Sequence, residues 1–471
     1  MTLTHLEVAV ATARDELMSR FASRVSVNAA LDRTLVSFQA NKKEAFYQWF
    51  KYKEGFSQRL VRYFLDMLTE RPGVLLDPFA GAGAALFASR DNGWRAIGVE
   101  LLPVGFYAMT AREAAEKVDP EAFARQVTAA EGVDFARHWR SEFAFPHIVI
   151  TRGAFPARTE RELGGFLAYC EDRIHDPPVR ELFQFAAFCI LEEISYTRKD
   201  GQYLRWDYRS ERARVKGHFD KGEIRPFRDA ISSKLRRMAD DLAHTPSDGN
   251  GRGNRGALDI RKGSCFEVLP DLRSGAVNLV ITSPPYCNRY DYTRTYALEL
   301  AFLGRDDDEV KRLRQQMLSC TVENKEKREE LRRLYARKRR PDAFSRVEKV
   351  FDDQEALQEV LAFLEQQRAA GNLNNDNISR MVHHYFYEMC FVVHELARIV
   401  APGGKVVMVN DNVQYAGEEI PVDLILSDFA RTFGLKVKHI WTLPRGKGNS
   451  SQQMGSHGRR ELRKCVYVWE R

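Results

Sequence analysis

Short apolar runs that end in an acid, a serine or a glycine turn recur along the chain, and each reads as a buried strand rather than as one face of a helix. Gly73-Val74-Leu75-Leu76-Asp77 runs into Pro78-Phe79-Ala80-Gly81-Ala82-Gly83, and Ala96-Ile97-Gly98-Val99-Glu100 repeats the form. Between them, Ala84 to Asn92 has helical spacing and is closed by Gly93, so the unit is a right-handed crossover between parallel strands. Five more runs follow: Leu258 to Gly263, Asn278 to Ser283, Lys405 to Asn410, Lys436 to Leu443 and Lys464 to Glu470. Together they predict an α/β fold with a mostly parallel sheet. The last two are joined by a polar loop, Pro444 to Arg463, too short for a crossover helix, so the final strand is expected to run antiparallel. A helix from Tyr385 to Val400, stopped by Ala401-Pro402-Gly403-Gly404, feeds the fifth strand.

Two long stretches interrupt this alternation, about 120–257 and about 305–380, and both exceed ordinary connections. The chain divides accordingly into an N-terminal helical segment (1–40), two stretches carrying the first four strands (41–119 and 258–304), the insertion between them (120–257), a basic helical insertion (305–380) and a C-terminal part (381–471). The first insertion ends in Thr245 to Gly256, a linker by its glycine, serine, asparagine and proline content.

With 471 residues, 44% of them apolar and 11% aromatic, the chain has ample material for a core, and disorder is excluded. Apolar runs such as Phe185 to Leu191 fall far short of the roughly 20 residues that span a bilayer. Met1 to Arg14 lacks the pattern of a secretory signal, so a cytoplasmic address is expected, with no membrane partner. The seven cysteines are odd in number, widely spaced and without a Cys-x-x-Cys pair, which points to reduced thiols. No metal is expected, since His383 and His384 lack partner spacing.

The net charge of +7 permits a polyanionic partner, and its location matters more than its size. Between Ser195 and Ala239, thirteen Lys and Arg face six Asp and Glu, with aromatics interleaved; Lys311 to Arg340 holds twelve against four. Nucleic-acid contacts need that mixture of cation and ring. The candidates are Arg198, Lys199, Tyr203, Arg205 and Trp206 in the first stretch, with Arg337 and Lys338 in the second. A solvated helical face is the alternative for both.

The turn from Asp77 to Gly83 sits at the carboxyl end of the first strand, where glycines let a ligand approach the backbone. Glu100 ends the next strand, where a carboxylate can hold both hydroxyls of a ribose. The pair suits NAD, FAD or S-adenosylmethionine. The helix opening Gly83-Ala84-Ala85-Leu86 lacks the third glycine of the pyrophosphate fingerprint, which leans away from dinucleotides.

Asn278 to Tyr286 carries the reading further: a buried strand runs into Pro284 and Pro285, which end the ladder and hold Tyr286 at the open edge of the sheet. Asp77-Pro78-Phe79-x-Gly81-x-Gly83 together with Ser283-Pro284-Pro285-Tyr286 resembles the amino-methyltransferases that modify exocyclic amines of DNA bases. Serine at the first position of the second motif looks most like the cytosine-N4 branch, since adenine-N6 enzymes more often carry Asp or Asn there. The resemblance covers roughly 41–118, 258–304 and 381–471 and leaves the insertions aside. It implies a Rossmann-like methyltransferase fold of seven strands, S-adenosyl-L-methionine as cofactor, double-stranded DNA as substrate and a cognate restriction endonuclease that acts separately. It also implies that Asp77, Pro78, Phe79, Gly81 and Gly83 line the methionine end of the cofactor, that Glu100 with Leu101 takes the ribose, and that Ser264 and Cys265 border the adenine. Trp49 to Ser57 resembles the segment that closes over the methionine moiety, with ordinary aromatic core as the alternative.

An exocyclic amine is a poor nucleophile because its lone pair is delocalised into the ring. Ser283 and the Pro284 carbonyl are placed to accept its hydrogens as the nitrogen pyramidalises, and Tyr286 to stack on a base that has left the duplex. Carbon-5 methylation needs a cysteine nucleophile after a proline, whereas Cys287 follows tyrosine, so no covalent intermediate is expected. The loop Gly446 to His457 is expected beside the base pocket. Adenine-N6 methylation, RNA base methylation and a catalytically silent DNA-binding subunit are the other readings. The whole requires the strand tip bearing Ser283 to lie beside the tip bearing Gly81.

Overall fold

The structure is a computed structural model and describes residues 12–53, 55–200, 203–212, 218–244, 255–444 and 462–471. Its fold is α/β, with eight mostly parallel strands divided between two compact units. The loop Gly446 to His457 lies outside the described residues, as does most of the linker Thr245 to Gly256.

The first unit comprises 1–32, 266–288 and 318–471. In it Val277–Thr282 runs parallel to Val400–Asp411, and Lys464–Glu470 lies antiparallel between Val400–Asp411 and Lys436–Thr442. Leu279, Val280 and Ile281 are fully buried, as are Val406 to Val409, the signature of strands covered on both faces. The helices Ile378–Ile399 and Val422–Thr432 are buried along most of their length.

Two details differ from expectation. Val25–Val27 adds an eighth strand, parallel to Lys436–Thr442, after the helix Ala13–Phe21. It has only three residues and no buried side chain, so hydrogen bonds place it and no apolar pattern announces it. Ala401-Pro402-Gly403-Gly404 lies inside the strand Val400–Asp411 instead of ahead of it. The pairing jumps from Val277↔Val400 to Leu279↔Lys405, so these four residues bulge out of the ladder, and the Gly403 N–H is satisfied by the Arg471 carbonyl at 2.8 Å.

The second unit comprises 33–265 and 289–317. Val74–Asp77, Arg95–Glu100 and Leu258–Lys262 lie side by side in that order, all parallel. The helices Ala84–Arg90 and Pro103–Ala115 leave the carboxyl ends of the first two. The first long stretch is built into this unit, with helices Pro120–Ala130, Ala157–Arg173, Pro177–Ile194 and Phe227–Ala243. One phenylalanine from each, Phe123, Phe166, Phe183 and Phe227, joins a ring cluster with neighbouring centroids within 6.2 Å. A hairpin of Thr197–Asp200 and Tyr203–Trp206 follows the third of these helices.

Candidate functional site

Asp77 ends its strand almost wholly buried, and its Oδ1 accepts the Phe79 N–H at 3.0 Å, which turns the chain at once. The Ala80 N–H donates to the Val99 carbonyl at 2.9 Å and ties the turn to the next strand. Gly81 and Gly83 adopt φ of +54° and +81°, the left-handed region that side chains disfavour. A Cβ at Gly83 would lie 2.8 Å from Phe87, and one at Gly81 would lie 3.0 Å from the ring of Tyr52. Tyr52 therefore roofs the turn, and it stacks on Tyr296 with centroids 5.2 Å apart. The Tyr296 hydroxyl accepts the Lys53 N–H at 2.8 Å. Tyr296 escaped sequence reasoning; its only signal was the recurrence of tyrosines at 286, 290, 292 and 296 after the proline motif.

The segment Trp49 to Ser57 thus reaches the glycine turn through Tyr52. Ser57, expected at the cofactor, is otherwise engaged: fully buried, it accepts the Leu60 N–H at 3.2 Å as cap of the helix Gln58–Leu68 and donates to the Leu35 carbonyl at 2.8 Å.

Glu100 closes the strand Arg95–Glu100 with its carboxylate turned back onto the turn. Oε2 accepts the Gly81 N–H at 2.6 Å and Oε1 accepts the Leu102 N–H at 2.7 Å. Burial pushes this carboxyl up to about 7, against the pull of those N–H groups and that of Leu101. Leu101 stands half-buried beside it. The Gly263 N–H bonds the Glu100 carbonyl at 3.0 Å, so half-buried Ser264 and buried Cys265 follow directly on this corner. Asp77, Glu100 and Ser264 are thereby gathered at the carboxyl ends of three adjacent parallel strands, with Pro78 buried and Phe79 half-buried in the turn.

In the first unit, Val277–Thr282 delivers Ser283, and buried Pro284 and Pro285 carry the chain to half-buried Tyr286. Ser283 Oγ donates to the Tyr286 hydroxyl at 3.1 Å, which commits the serine hydrogen and leaves its lone pairs to accept. Cys287 is fully buried, and burial pushes its thiol well above the usual range, away from nucleophilic thiolate. Its carbonyl accepts from the Tyr415 hydroxyl at 2.8 Å. Among the described residues, no three His, Cys, Asp or Glu are grouped to hold a metal ion, and no helix is long and apolar enough to cross a membrane.

The basic stretches are less uniformly outward than their composition suggests. Arg198 and Arg205 face each other across the hairpin on its exposed side, with Trp206 half-buried beneath the Arg212 guanidinium. Lys199, expected to contact nucleic acid, points the other way. It is 4% exposed, forms an ion pair with buried Glu299 and lies 4.6 Å over the Tyr296 ring. Alternation along a strand sends neighbouring residues to opposite faces, so Arg198 and Lys199 cannot share one. Tyr203 pairs with Asp200 in the hairpin ladder. In the second stretch most charge is spent internally: Lys327 on Glu388 at 2.8 Å, Arg340 on Glu395 at 2.8 Å and Lys338 on Asp271 at 2.5 Å. Arg337 remains exposed.

No family model matches the chain. Its relatives include the Type II methyltransferase M.AvaI of Nostoc sp. (strain PCC 7120) and that of Anabaena variabilis, each 43% identical over 468 residues, covering 97% of this chain and 92% of theirs. The Type II methyltransferase M.BsoBI of Geobacillus stearothermophilus is 37% identical over 482 residues, covering 99% of this chain and 94% of its own.

Proposed function

The chain belongs to the Type II methyltransferases, and from that premise we propose that it methylates the exocyclic N4 amine of a flipped cytosine in double-stranded DNA, using S-adenosyl-L-methionine. The observation that carries this reading is the turn after Val277–Thr282, where Ser283 gives its hydrogen to Tyr286 and presents lone pairs. With the Pro284 carbonyl, Ser283 Oγ accepts the amine hydrogens as the nitrogen turns its lone pair toward the methyl carbon. Tyr286 supplies the ring face for the extruded base. Buried, protonated Cys287 takes no part, in keeping with direct transfer without a covalent intermediate.

The glycine turn fits the donor. Glu100 offers its carboxylate to a vicinal diol at the end of the second strand, and Tyr52 covers Gly81 where the methionine end would lie. When bound, the sulfonium supplies an activated methyl carbon whose bond to sulfur breaks as the bond to nitrogen forms. Asp77, Phe79, Gly81 and Gly83 line one end, Leu101 lies with Glu100 toward the ribose, and Ser264 and Cys265 lie toward the base of the nucleoside. Arg198 and Arg205 on the exposed face of the hairpin, and Arg337, would contact DNA. The address is cytoplasmic, and a separate restriction endonuclease of the same site preference is the implied partner.

The test is mass spectrometry of nucleosides from DNA incubated with the protein and methyl-deuterated S-adenosylmethionine, beside a Ser283→Ala, Tyr286→Ala double variant. Labelled N4-methylcytosine with the parent alone is expected. Its absence from both samples rejects the proposal, and labelled N6-methyladenine transfers the chemistry to adenine.

A further inference from the structure

The second unit contains a cavity of about 610 Å³ bordered by the helix Gln58–Leu68, the last turns of Ala84–Arg90 and Pro103–Ala115, and the end of Phe227–Ala243. No residue of the glycine turn or of the Glu100 corner lines it. Arg90 stands seven residues along its helix from Gly83, roughly 10 Å at 1.5 Å per residue. The cavity is therefore separate from the glycine turn and the Glu100 corner, and its volume falls in the range of small-molecule pockets.

Its acids are already engaged. Asp91 and Glu116 each pair with both Arg90 and Arg255. Asp241 accepts the Phe46 N–H at 3.0 Å and the Trp49 indole N–H at 2.7 Å. Glu44 accepts from Gln58 Nε2 at 2.8 Å, and Asp119 caps the helix Pro120–Ala130. The cations are not balanced in the same way: among the described residues, Arg62, Arg112 and Lys117 have no carboxylate within ion-pair distance. Arg112 is fixed by two rings, its guanidinium 3.8 Å from the Tyr47 centroid and 4.0 Å from that of Phe87. A guanidinium held flat in this way keeps its edge N–H groups in the planar fork that matches an oxyanion.

A second feature points to an occupant. Gln58 is 3% exposed and lines the cavity; its Nε2 is spent on Glu44, and its Oε1 has no hydrogen-bond partner. Buried acceptors are rarely left so. Lining cations and carboxylates are equal in number, so it is the placement of Arg62 and Arg112 beyond ion-pair distance of any carboxylate among the described residues, beside buried Gln58 Oε1, that suits an anion which also carries a donor.

We propose that this cavity binds a small organic oxyanion of about nucleoside-monophosphate size, its phosphate or carboxylate held by Arg112 and Arg62 and an N–H or O–H group donated to Gln58 Oε1. It is a binding site additional to those for methyl donor and DNA, and it does not depend on which base is methylated.

Isothermal titration of the full chain with ribose 5-phosphate, cytidine 5′-monophosphate and citrate, each in the presence of saturating S-adenosylhomocysteine, tests it; the phosphate and citrate arms separate the two oxyanion chemistries. At least one probe is expected to bind at submillimolar concentration, and Arg112→Met to weaken it about tenfold or more through loss of charge-assisted hydrogen bonds. Arg62→Gln, at an exposed position, is expected to weaken it in the same direction and keeps the test valid if Arg112→Met fails to fold. No binding of any probe at millimolar concentration overturns the proposal, as does binding that both variants leave unchanged.

Discussion

Glu100 gives the cofactor reading a pH signature. Burial raises its carboxyl from 4.5 to about 7 although the backbone N–H groups of Gly81, Leu101 and Leu102 bond it. Ribose hydroxyls donate to a carboxylate, so ligand binding favours the ionised form and releases a proton near neutrality. Affinity for S-adenosylhomocysteine should then fall roughly tenfold between about pH 8 and about pH 6, as the ionised fraction falls from about nine-tenths to about one-tenth. The fold responds with the opposite sign. Because the folded value lies above the unfolded one, the folded state holds its proton more tightly, and the stability this contributes at acid pH is lost as pH rises from 4.5 through about 7. Glu100→Gln cannot ionise. It should lose about 1.5–3 kcal/mol of charge-assisted hydrogen bonding to the diol, tenfold or more in affinity, and show a flat pH profile. Calorimetry in buffers of different protonation enthalpy measures both affinity and proton release. A parent affinity independent of pH over this range, with no proton released, would refute the assignment of Glu100 to a diol.

Lys199→Ala strands Glu299 as an uncompensated buried charge and should cost about 3–5 kcal/mol in urea unfolding. The double change Lys199→Met, Glu299→Leu should recover most of that loss; a single variant as stable as the parent contradicts the buried pair. Arg198→Ala and Arg205→Ala should each weaken DNA binding evenly across sequences and reduce the slope of log affinity against log salt by about one. Fluorescence anisotropy over a salt series reads this, and an unchanged slope removes the hairpin from the interface. Cys287→Ala should retain methyl incorporation from radiolabelled donor, whereas its abolition in a folded variant would point to a covalent intermediate.

Much of the fold was legible because buried parallel strands are continuous apolar runs. Val74–Asp77, Arg95–Glu100 and Val277–Thr282 appear within a residue or two of where their side chains place them. Val25–Val27 was not, since a three-residue edge strand is held by backbone groups that every sequence possesses. The glycine turn was readable from residue type, since φ of +54° and +81° need glycine, but its roof was not. Tyr52 and Tyr296 are far apart in the chain and meet only through tertiary packing. Charge was the least legible quantity. Counting Lys and Arg between Ser195 and Ala239 cannot distinguish Arg198, which faces solvent, from Lys199, Lys221 and Lys234, whose ammonium groups bond Glu299, the Ser195 carbonyl and the Trp49 carbonyl. Their partners lie in other elements, and composition carries no direction.

Single-molecule sequencing of DNA from cells expressing the protein tests the central claim most directly, because it reports modified base and surrounding sequence together. N4-methylcytosine in one recurring context, absent from cells carrying the Ser283→Ala, Tyr286→Ala variant, is the predicted result. Modification confined to adenine, or genomic DNA indistinguishable between the two strains, would contradict it.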